Sequence, residues 1–285
     1  MGLLDGLEKF GFGGLDKVDI YEEAPKEKKE VKPEVKPEHV VEERDFLIDK
    51  EYECHVCNRK FKQRIVRPNR AKLAGQDRDL RPVYNGIDTL KYDVILCPYC
   101  GYSVLQTFYA ALAKPHRQLI RENISANFKP MPDKVPEVIR YEEAATRYKL
   151  ALFNAVVRQG KSSEKAMICL KTGWLMRGWA DSLEGNTEEE QERISDCKKQ
   201  ERENLKSALE GFIKARATEQ APYAGMKEST LDYIIGALCV ELNERLEDGA
   251  RMLQTVAMST SAGAIQKERA REMLEEIRNR LKAAQ

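Results

Sequence analysis

The sequence predicts an α+β protein, mainly α: a small zinc ribbon with rubredoxin-like knuckles, followed by TPR-like α-helical hairpins. Three observations carry that prediction. Two Cys-x-x-Cys pairs, Cys54/Cys57 and Cys97/Cys100, lie beside short β-rich segments. After about residue 136, apolar residues fall at the helical period of 3.6. Within that region small residues recur in pairs seven apart, and successive pairs are 42 positions apart (166→208→250).

The chain has 285 residues, enough for one large domain or two smaller ones. Its 48 Lys+Arg and 47 Asp+Glu leave a formal net charge of +1, so a nucleic-acid or membrane partner needs a local patch to support it. The longest apolar run, "YIIGALCV" at 233–240, suits a helix buried among others and is too short to span a bilayer. The start, "MGLLDGLEKFGFGG", has no basic n-region and is interrupted by Asp5 and Glu8, so a secretory signal is not expected. The expected location is the cytoplasm, where thiols stay reduced and paired cysteines read as metal sites.

The organisation follows from composition. Residues 1–48 combine an apolar stretch (Leu3, Leu4, Leu7, Phe10, Phe12, Leu15) with a charged, Pro-punctuated linker, expected to be disordered over about 22–45. Residues 49–112 form the ribbon segment, with a turn at Asn85-Gly86; they are too polar for an ordinary core and suit a metal staple. Residues 113–136 read as a connector, and 137–285 as the helical domain.

In the helical part a break is expected at Gln159-Gly160, with Ser162 or Ser163 capping the next helix. Further helices are expected at about 188–218, 227–245, 247–260 and 264–283. The small pairs are Ala166/Gly173, Ala208/Ala215 and Ala250/Ala257, with Gly236 placed like the small residue of a TPR first helix. Their period exceeds the usual TPR repeat of about 34 residues, so a generic helical bundle is the alternative.

Two Cys-x-x-Cys turns are the usual way to present four thiolates to one tetrahedral ion. Gly101 follows the second pair and Asn58 the first, and both residue types tolerate positive φ. The 39 residues between the pairs (97 − 57 − 1) demand an insertion between the knuckles. A structural Zn2+ held by Cys54, Cys57, Cys97 and Cys100 is therefore expected, with a rubredoxin-like iron site or a thiol redox pair as alternatives. His55 reads as an exposed turn residue. Cys169 and Cys239 read as small core residues, and Cys197 as an exposed thiol with lysines beside it.

The knuckle "CHVCNRKF", the stretch "DRDLRPVY", the segment "YDVILCPYCGYS" and the helical region together resemble an uncharacterised family of bacterial cytosolic proteins, defined as a domain of unknown function. The resemblance covers roughly 50–285. It implies zinc binding by Cys54, Cys57, Cys97 and Cys100 and no established activity. His55 and Asn58 stand where Pro and Gly are more usual in the family, which leaves the ligands intact.

The expected function is a non-catalytic zinc-binding scaffold that takes a protein or peptide on its helical surface. No P-loop, HExxH or GxSxG motif is present, so an enzyme is not expected. The alternative is nucleic-acid binding through Arg59, Lys60, Lys62, Arg64, Arg67, Arg70 and Lys72, a stretch without an acidic residue. The blander reading of that stretch is a solvated strand face paired with the acidic linker or with acidic helices such as "EEEQER".

Overall fold

The structure, a computed structural model, describes residues 41–132 and 134–283. The chain divides into Met1–Val40 and Val41–Gln285, and all that follows concerns the second unit. The apolar segment at 1–20 and most of the expected linker lie outside the described residues.

Regular structure is already present at residues 43–48, ahead of the expected ribbon boundary at 49. Glu43–Phe46 forms a 3-10 turn whose Glu43 carboxylate accepts from Tyr92 Oη at 2.6 Å and Lys91 Nζ at 2.7 Å. Three two-stranded antiparallel hairpins follow: β1 (Leu47–Glu53) with β2 (Lys60–Val66), β3 (Leu73–Gln76) with β4 (Pro82–Tyr84), and β5 (Val94–Leu96) with β6 (Ser103–Leu105). In β2 the two-residue period puts Phe61, Gln63 and Ile65 inward and Lys60, Lys62 and Arg64 outward. The inward Gln63 is satisfied at both ends. Its amide donates to the Val94 carbonyl at 2.8 Å and accepts from the Leu96 N–H at 2.9 Å, joining the first hairpin to the third.

Seven α-helices occur among the described residues: α1 (Lys114–Ile120), α2 (Tyr141–Val157), α3 (Ser162–Asp181), α4 (Glu188–Thr218), α5 (Glu228–Leu242), α6 (Leu246–Met258) and α7 (Ala264–Ala283). No helix among them is long and apolar enough to cross a membrane. The class is α+β and mainly α, as the sequence predicts. The break at Gln159-Gly160 is present, with Gln159 at φ +57°.

Two local expectations are corrected. Lys161, not a serine, is the N-cap of α3. Ser163 instead bonds Glu219 through Oγ at 2.6 Å and its N–H at 3.1 Å, tying the start of α3 to the end of α4. Helix also begins before 136: α1 carries Pro115 in its first turn and runs into a π-turn, Arg121–Ser125.

Helices α3 and α4 form an antiparallel pair through small residues. A Cβ on Gly211 would stand 2.8 Å from Ala166 Cβ, and one on Gly173 would stand 2.8 Å from Leu205. Helices α5 and α6 pair the same way, Gly236 against Leu253 and Gly249 against Cys239. The first two small pairs are buried. In α6, Gly249 makes the close approach, while Ala250 and Ala257 are half-buried.

The ribbon and the helices share one core. Phe46, Leu90, Tyr92 and Leu105 belong to the same buried cluster as Ile168, Leu175, Leu209 and Ile235. Polar bonds reinforce the join at "DRDLRP". Asp79 accepts from Trp174 Nε1 at 2.8 Å and Arg177 Nη2 at 2.9 Å, and Arg177 also reaches Asp77 at 2.9 Å and Glu201 at 2.6 Å. Arg81 bonds Asp181 at 2.9 Å, and Arg78 bonds Glu276 of α7 at 2.6 Å. Burial alone would lower the Arg177 pKa, but Asp79 and Glu201 outweigh it and hold the guanidinium above its usual value. This loop is a clasp across α3, α4 and α7.

Candidate metal centre

Each Cys pair occupies the turn of a strand hairpin, and the two turns have the same pattern of backbone bonds. In the first, between β1 and β2, Cys54 N–H donates to Arg59 O at 2.9 Å and Asn58 N–H to Cys54 O at 2.9 Å. In the second, between β5 and β6, Cys97 N–H donates to Tyr102 O at 2.9 Å and Gly101 N–H to Cys97 O at 3.1 Å. Asn58 at φ +60° and Gly101 at φ +73° close the turns, which is the conformation their residue types were expected to allow. Phe128 covers Gly101 so closely that a Cβ there would stand 2.6 Å from its ring.

The four Sγ atoms of Cys54, Cys57, Cys97 and Cys100 all lie within 4.8 Å of one another. Cys54 and Cys100 are 3.5 Å apart, and Cys57 and Cys97 3.7 Å. A tetrahedron with metal–sulfur bonds of about 2.3 Å has edges of roughly 3.8 Å, so the donor set fits one tetrahedral metal ion. Cys54, Cys97 and Cys100 are buried and Cys57 is half-buried.

Protons divide unevenly among these thiols. Hydrogen bonds from Cys100 and Cys97 draw Cys54 down to about 2. Cys97 is pulled down by its bond with Cys100 but more strongly up by Cys54 and by burial, to about 12. The bond to Cys54 pushes Cys100 far above the usual thiol range. Metal binding at such a cluster favours thiolate over thiol, because the ligands must be deprotonated.

Residues that the Cys spacing does not reveal hold the knuckles in place. Arg121, in the π-turn after α1, donates to the Val56 carbonyl through Nε at 3.0 Å and Nη2 at 2.6 Å. Ile120 and Ile124 are buried in the same cluster as the cysteines. Asn154 of α2 donates to Gly101 O at 3.0 Å, and Met131 N–H to Pro98 O at 2.8 Å. The one advance signal was the i, i+4 spacing of Ile120 and Ile124 behind Pro115. His55 is half-buried, its ring centroid 4.5 Å from that of Tyr109, and it stands outside the donor set.

Three residues of the basic segment, Lys60, Lys62 and Arg64, share the outward face of β2. Lys60 pairs with Glu51 at 3.4 Å and Arg64 with Asp49 at 3.0 Å, both across the β1–β2 ladder. Arg59 lies over the Tyr99 ring and Arg70 over that of Phe46, at 5.2 and 5.9 Å. Lys62, Arg67 and Lys72 are exposed. Among the described residues, the carboxylates paired with Lys60 and Arg64 come from β1.

The other cysteines lie apart. Cys169 and Cys239 are core residues, as expected, and burial raises each thiol to about 11. Cys197 corrects the sequence reading: it is fully buried, and burial raises its pKa rather than neighbouring lysines lowering it.

Fold and site together define a mainly helical α+β protein in which two ribbon-like knuckles gather four cysteines able to hold a metal ion. The family described as "Uncharacterized protein conserved in bacteria (DUF2225)" matches residues 47–282, and the chain belongs to it. No curated protein and no solved structure matches the chain.

Proposed function

We propose that the protein is a non-catalytic, cytoplasmic zinc-binding scaffold that takes a protein or peptide partner on TPR-like helical hairpins. The observation that carries this reading is the closure of the cysteine cluster. Four thiolates within 4.8 Å give Zn2+ its full tetrahedral shell and leave no position for a substrate or reactive water. The metal then acts as a staple, and binding falls to the helices. Antiparallel pairing of α3 with α4 and α5 with α6 supports a hairpin repeat. On α2, Phe153 and Val156 lie one turn apart and remain 49 % and 53 % exposed, an apolar face suited to a partner.

The nucleic-acid reading has weaker support, because Lys60 and Arg64 are already paired with carboxylates. The test is affinity capture with the full chain, combined with elemental analysis and a filter-binding titration across salt. The expected result is one zinc per chain, a stoichiometric protein partner lost on Phe153→Ser, and no nucleic-acid retention at low salt. A preparation without zinc, or a Phe153→Ser variant that keeps the partner, overturns the reading.

A further inference from the structure

A cavity of about 330 Å3 lies between β2, the second knuckle and α2. Among the described residues, four cations, Lys62, Arg64, Lys134 and Arg147, line it with one carboxylate, Glu143. Leu96, Pro98, Met131 and Val135 supply apolar wall. Such a volume with few convergent polar groups is the usual form of a small-molecule site.

Arg147 is the unusual member. It is only 7 % exposed, and Glu143 takes Nη2 alone, at 2.6 Å. Its Nε and Nη1 are buried without any hydrogen-bond partner, which leaves three N–H bonds without an acceptor. An unanswered buried guanidinium is costly, and an oxyanion is the group that answers it with charge-assisted hydrogen bonds.

The neighbours do not fill that role. Gln63 is committed at both ends to Val94 and Leu96. Arg64 is turned to Asp49 and the Pro136 carbonyl. Among the described lining residues, positive charge therefore exceeds negative beside an apolar wall.

We propose that this cavity binds a small amphipathic carboxylate, its headgroup on Arg147 and Lys134 and its apolar body against Leu96, Pro98 and Met131. A bare inorganic anion would leave the wall uncovered, and a neutral chain would leave Arg147 unanswered.

The test is calorimetric titration of the full zinc-loaded chain with octanoate, 1-octanol and inorganic phosphate. Octanoate is expected to bind saturably at one site, with the other two probes at least tenfold weaker. Arg147→Met should weaken octanoate at least tenfold, and a Lys62→Ala/Lys134→Ala double variant at least threefold, with zinc content unchanged. If Arg147→Met does not fold, the exposed double variant decides. Absent octanoate binding, equal affinity for octanol or phosphate, or undiminished binding in the folded variants overturns the proposal.

Discussion

The indole N–H of Trp174 donates to Asp79 across 2.8 Å, although the two residues are 95 positions apart in the chain. That bond joins the insertion between the knuckles to the middle of α3, with Arg177 on the same carboxylate. Asp79→Ala would leave the indole N–H unpaired and Arg177 short of a counter-charge, since Asp79 is 3 % exposed. The expected cost is about 3 kcal/mol. Urea denaturation followed by tryptophan fluorescence measures it, and an unchanged midpoint would contradict the clasp.

Cys97→Ser should abolish stoichiometric metal binding, because four donors are needed to complete the shell. From sequence alone, damage confined to 49–112 would be expected, with the helices spared. The shared core and the Asn154–Gly101 bond carry the damage into α2. Hydrogen exchange should therefore show lost protection in Tyr141–Val157 as well as the ribbon. Full metal content in the variant would sink the four-cysteine assignment.

Gly236→Ala tests the α5–α6 pairing. The added methyl would meet Leu253 carbons at 2.4 and 2.6 Å. Overpacking of this kind costs about 1–3 kcal/mol. Gly263→Ala is the control, since nothing lies within 4 Å of its added methyl. Thermal unfolding of both variants separates the outcomes, and equal melting temperatures would refute the close approach.

Burial raises the pKa of Asp88, and the Leu90 N–H, Tyr141 hydroxyl and Arg81 offset it only in part. A carboxyl raised on folding favours the native state below its unfolded value of about 3.9 and loses that contribution as pH rises through the folded value. Asp88→Asn mimics the protonated form and keeps an acceptor for Leu90 N–H. The variant should gain stability relative to the parent as pH goes from about 3 to about 7. Chemical denaturation at the two pH values checks this, and a flat or inverted difference would be decisive against it.

What the sequence made legible was local. Paired cysteines, Asn58, Gly101, the Gln159 break and the long periodic helices all announce themselves within a few residues. The clasp does not, because Asp79, Arg177 and Glu276 meet only after folding. Cys197 was misjudged from adjacent lysines. Its place in the series Cys197, Leu205, Ala208, Phe212 and Ala215, all buried on α4, was the better guide. Helix α1 escaped notice because its seven residues offer less than two turns of pattern.

The clasp also imposes an order on synthesis. All four cysteines have been made once residue 100 is added, whereas the partner of Arg78 lies 198 positions further along. A nascent chain can therefore take its metal while most of the helices are still unmade. It closes on itself only when α7 arrives. The donor set is thus complete in the chain long before the last helix turns the lock.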